Sequence, residues 1–62
     1  MSGEALDRAS ELLGQLEAKR AELEQTEDPE AAVELLTEIT ELAKEAHSQI
    51  ELARREADAA QS

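Results

Sequence analysis

The chain has no cysteine, no aromatic residue, two glycines and one proline among 62 residues. Without cysteine, disulfides and thiolate metal sites are excluded, and the redox state of the compartment leaves no mark. Without phenylalanine, tyrosine or tryptophan, the chain has no ring on which to stack a nucleobase. Basic residues are also scarce: six Lys and Arg stand against 16 Asp and Glu, for a formal net charge of -10. Such a chain is repelled by phosphate backbones and by anionic membrane surfaces, so neither nucleic acid nor membrane is expected as a direct partner. No apolar run approaches the roughly 18 residues of a membrane span, and the first residues lack the apolar core of a signal peptide. A cytoplasmic protein is the expectation.

At this length the chain makes one domain at most. So short a chain rarely buries enough apolar surface to be stable alone, and disulfides, metals or association usually make up the difference. Disulfides are absent, and His47 is the single imidazole. Association with another protein is what remains. The composition lies close to that of disordered chains. Hydrophobic spacing argues for a folded helical state instead, because disorder gives no reason to hold a periodic seam.

That spacing is what the chain does have. From Ala32 the second half runs Ala32, Leu36, Ile39, Ala43, Ala46, Ile50, Ala53, Ala57 and Ala60, alternating steps of four and three. The first half runs Leu6, Ala9, Leu13, Leu16, Arg20 and Leu23 in the same rhythm, with Arg20 as its one polar break. Steps of three and four are the mark of a helix packed lengthwise against another. Between the halves lies Thr26-Glu27-Asp28-Pro29. Proline lacks an N–H and disfavours helix in the residue before it, but it suits the first position of a new helix, with Asp28 as its cap. The sequence therefore predicts one helix over about 3–26, capped by Ser2, a turn at 26–28 and a second helix over about 29–60.

A turn this short makes the helices antiparallel neighbours. Facing residues then have numbers summing to about 55, which brings Leu23 to Ala32, Leu16 to Ile39, Ala9 to Ala46 and Leu6 to Ile50. The expected fold is all-α: an antiparallel two-helix hairpin that dimerises into a four-helix bundle. Its expected internal seam is Leu6, Ala9, Leu13, Leu16, Leu23, Ala32, Leu36, Ile39, Ala43, Ala46 and Ile50. Leu12, Leu35, Leu42 and Val33 lie beside that seam, and Ala57 and Ala60 run past it. These six residues are the expected surface for a partner, because leaving a leucine wet forgoes roughly 1.5–3 kcal/mol.

Candidate chemistry is thin. His47 sits one turn before Glu51, but Lys44 occupies the place where a Glu-x-x-His metal motif needs its carboxylate. Acid–base catalysis needs a carboxylate of raised pKa inside a pocket, and two helices enclose none. Ser2, Ser10, Ser48 and Ser62 lack a nucleophile elbow, and Gly3 and Gly14 do not form a phosphate loop. No catalytic residue, cofactor or metal is expected. The expected function is non-catalytic: a helical protein–protein interaction module, self-associating and structural or regulatory. An acidic decoy that occupies the DNA groove of a basic protein is a further alternative consistent with the charge.

A family resemblance adds another alternative. Glu30-Ala31-Ala32-Val33-Glu34-Leu35-Leu36, Leu42-Ala43-Lys44, and Ile50-Glu51 with Ala53 to Glu56 are similar to segments of the second helix of the exodeoxyribonuclease VII small subunit. Leu16-Glu17 and Leu23-Glu24 resemble Leu-Glu pairs in that family's first helix. The chain departs from the family in lacking its opening Phe-Glu and an aromatic near Leu36, in placing Ile39 where a glycine is common, and in its turn at Gln25 to Pro29. The resemblance implies a non-catalytic accessory subunit docked on the large subunit of a single-strand DNA exonuclease.

Overall fold

The structure is a computed structural model that describes residues 3–61. It is an antiparallel helical hairpin: α1 spans Gly3–Gln25 and α2 spans Pro29–Gln61, and the two pack along their shared length. Ser2, expected to cap the first helix, and Ser62 lie outside the described residues. Helix formation follows from the prevalence of Ala, Leu, Glu, Lys and Arg, all good helix formers.

Local chemistry sets the turn. At the end of α1 the Thr26 N–H donates to the Leu23 carbonyl at 3.1 Å, and the Thr26 hydroxyl donates to the Glu22 carbonyl at 2.7 Å. Two carbonyls that a helix end leaves open are thereby satisfied. Pro29 begins α2, where its missing N–H costs nothing. Asp28 caps it: the Ala31 N–H donates to Asp28 Oδ2 at 3.3 Å, and the Ala32 N–H donates to the Asp28 carbonyl at 3.0 Å. Glu30 in the first turn adds negative charge at the positive end of the helix dipole. Within α2, the Thr37 and Thr40 hydroxyls donate to the Val33 and Leu36 carbonyls, which keeps these residues compatible with a helix interior.

The packing uses two rows on each helix. One row is Ala9, Leu16 and Leu23 on α1, with Ala32, Ile39, Ala46 and Ala53 on α2. The other is Ala5, Leu12 and Lys19 on α1 and Thr26 just past its end, with Leu35, Leu42, Gln49 and Glu56 on α2. Apart from Ala31 and Glu51, every buried or half-buried described residue belongs to these rows. Their spacing of three and four along both helices is that of a coiled-coil seam. The fully buried part is small: Ala5, Ala9, Leu12 and Ala46. Three alanines let the backbones approach closely but bury little area.

The molecule is long and thin, 51 × 14 × 12 Å, with α2 setting its length. With 33 residues against 23, α2 runs past the start of α1 by between two and three turns, about 15 Å. Among the described residues, no helix is long and apolar enough to cross a membrane.

Gly14 lies mid-helix on the outer side of α1, and a methyl group at its Cα would meet no neighbour within 4 Å. Its only effect is the entropic penalty of glycine in a helix. Gly14→Ala is expected to stabilise the hairpin by about 1 kcal/mol, or about 4–8 °C in Tm, in a thermal melt followed by circular dichroism.

Candidate interaction surface

The structure turns both helices by one residue from the seam expected on sequence. Ala9, Leu16, Leu23, Ala32, Ile39 and Ala46 lie in the seam, buried or half-buried. Leu6, Leu13, Leu36, Ala43 and Ile50 do not: all five are exposed. Their places are taken by Ala5, Leu12, Leu35, Leu42 and Gln49, one residue earlier in each case. Leu12, Leu35 and Leu42, expected on the partner surface, therefore belong to the hairpin itself, and Leu12 is its most buried side chain at 1% exposure. Arg20, expected in the seam, is exposed, and Lys19 takes that position. Val33, Ala57 and Ala60 are exposed, as a partner surface requires.

Charge pairs across one edge of the hairpin in this register. Arg8 reaches across to Glu45 at 3.3 Å, and Lys19 reaches across to Glu38 at 3.4 Å. Both bridges need the Glu38–Glu45 edge of α2 turned toward α1. Each is worth little alone on an exposed surface. The competing seam is no less apolar: it would hold Leu6, Leu13, Leu36 and Ile50 where this one holds Ala5, Leu12, Leu35 and Gln49. Lys19 also approaches Glu22 at 3.7 Å. Its hydrogen bond to Glu38 and the Glu38 charge, followed by the charge of Glu22, hold its ammonium above the ordinary lysine range. Folding thus favours protonated Lys19; that contribution is complete at neutral pH and fades only as pH rises through the raised value. On α1, Arg20 bonds to Glu17 and Glu24, and Glu17 foremost raises its pKa.

The result is a hairpin with two unlike faces. One face, here called the front, carries the row left over by the rotation: Leu6, Leu13 and Arg20 on α1, and Leu36, Ala43, Ile50 and Ala57 on α2. Val33, Thr40, His47 and Arg54 border it along α2. Five of the six large aliphatic residues that stand exposed lie here: Leu6 at 58%, Leu13 at 47%, Val33 at 62%, Leu36 at 50% and Ile50 at 39%. Leu52 is the sixth, on the opposite face near the open end of the hairpin. That opposite face holds Glu11, Glu22, Glu34, Glu38, Glu41 and Glu45, partly balanced by Arg8 and Lys19. Scattered exposed leucines are ordinary on a protein surface; these are gathered in a stripe along one side.

The separation could have been found in the sequence by comparing charges as well as apolar spacing. Both candidate seams have steps of three and four. The acids and cations able to bridge the helices lie beside only one of them.

His47 is exposed beside a shallow depression formed with Ile39, Thr40, Ala43, Lys44 and Ser48. Among the described residues, no group of three or more His, Asp or Glu is gathered closely enough to hold a metal ion. No protein-family model, characterised protein or solved structure matches the chain.

The two leucines of Leu12-Leu13 separate the faces experimentally. Leu12→Ala is expected to cost the hairpin about 2–5 kcal/mol, enough to unfold much of so small a protein. Leu13→Ala should cost well under half as much when both are compared by urea denaturation at low protein concentration. Equal losses, or a larger loss for Leu13, would return the seam to the register expected on sequence.

Proposed function

We propose that the chain is a non-catalytic helical interaction module that works by self-association in the cytoplasm, two hairpins forming a four-helix bundle. The observation that carries this reading is the one-sided front face. A two-helix hairpin has no third element to cover it, and its own buried core is a single leucine and three alanines. Isolated leucines would need no explanation. Five large aliphatics along one side of a 62-residue chain amount to half a core without its other half.

Bulk surface supports the same reading. The chain exposes 4766 Å². A compact monomer of 6.8 kDa exposes about 4,000 Å². The excess, about 800 Å², is close to what each partner contributes to a standard protein–protein interface. The acidic opposite face fits the role of the bundle's solvated exterior and keeps its net charge far from zero.

The likeness to the exodeoxyribonuclease VII small subunit gives a second use for this front: docking on a larger subunit. The one-sided stripe suits a groove of apolar residues on such a partner as well as a second hairpin. The two readings separate on the isolated chain. Sedimentation equilibrium at tens of micromolar should give a helical dimer, and Leu13→Glu should convert it to a monomer. A wild-type chain that stays a helical monomer at several hundred micromolar contradicts self-association. Co-purification with a nuclease large subunit from the native host would then favour the accessory role.

A further inference from the structure

The shape and residue order of the front face indicate how two copies would meet. Resting on the self-association reading, we infer that the second copy lies turned end for end, α1 on α1 and α2 on α2, with Leu13 and Ala43 nearest the two-fold axis. A two-fold interface must be complementary to itself. On α2, Leu36 and Ile50 stand one heptad either side of Ala43. Reversing one copy about Ala43 sets Leu36 against the partner's Ile50 and brings the two Ala43 residues together. Small residues at the crossing allow close approach, and the larger pairs fill the space on either side. On α1 the same reversal about Leu13 brings Leu6 over Arg20. The head of Arg20 is held by Glu17 and Glu24, so its aliphatic stem is free to cover a leucine.

The overhang of α2 separates this arrangement from its alternative. If both turns lay at the same end, α1 of one copy would cover α2 of the other, and the final two turns of α2 would lack cover in both copies. Turned end for end, the first of those residues lie along the first turn of the partner's α2 and the last reach its interhelical turn. Ala53 and Ala57 then face the region of Val33, the most exposed of the large aliphatics at 62%. Charge agrees. Arg54, with 74% of its side chain exposed, comes to the acidic turn end formed by Glu27, Asp28 and Glu30. The cation thus reaches the most acidic end of the molecule.

The absence of native cysteine makes disulfide trapping a clean test. Leu36→Cys and Ile50→Cys chains, each shown helical by circular dichroism, are mixed, annealed and oxidised. The disulfide should form mainly between the two different chains, because like positions lie about 20 Å apart while a disulfide spans about 6 Å between Cα atoms. Ala43→Cys alone should link to itself. Linking of Leu6→Cys to Ile50→Cys between chains shows the same-end arrangement and overturns the inference while leaving self-association intact. A dimer by sedimentation that yields none of these links overturns it as well. A chain that remains a monomer by sedimentation overturns the self-association on which it rests.

Discussion

Two helices can cover only one side of each other. A seam takes two rows per helix, and a third apolar row has no place within the pair. Most of what is distinctive in this molecule follows from that limit. The seam takes the Leu12 and Leu42 rows together with the Leu16 and Ile39 rows, and Leu6, Leu13, Leu36 and Ile50 are left facing out. Those four are as hydrophobic as the residues inside. The hairpin is therefore a folded unit and an unfinished one: its backbone geometry is complete, but its apolar surface has only been divided.

Charge lies along one side of that division. Sixteen acids on so short a chain cannot all stand far from the seam. Glu38 and Glu45 lie on its edge, where Lys19 and Arg8 meet them across the hairpin. Arg8 and Lys19 thus stand on the edge opposite the apolar front, whereas Arg20 and Arg54 lie in it or beside it. Individually these bridges are weak, and salt screens them. The acids beside the front row, Glu17 and Glu24, are paired with Arg20.

Much of the fold was legible in the sequence, because its signals are local. Asp28 and Pro29 mark the start of α2 through capping and fixed φ, and a short turn forces antiparallel packing. The row of Ala9, Leu16, Leu23, Ile39 and Ala46 was legible too, since it belongs to both possible seams. The choice between Leu12 and Leu13, or Leu42 and Ala43, was not. Both choices keep the rhythm of three and four, and apolar spacing alone cannot distinguish them. What separates them is where the charges lie beside each seam, as Lys19 and Glu38 do, and apolar spacing does not read that. One residue of rotation exchanges core for surface, so it changed most of the candidate site while leaving the architecture untouched.

The central claim is that the front face is buried in a second copy, so that folding and association are linked. A measurement that reads this linkage directly is the thermal midpoint of the unmodified chain as a function of its concentration. If the two hairpins complete one another's core, Tm rises steadily as concentration increases from about 1 μM to about 1 mM, because association with the folded state shifts unfolding by mass action. A midpoint that stays constant over that range would contradict the account and leave the stripe of Leu6, Leu13, Leu36 and Ile50 as surface of an independent monomer.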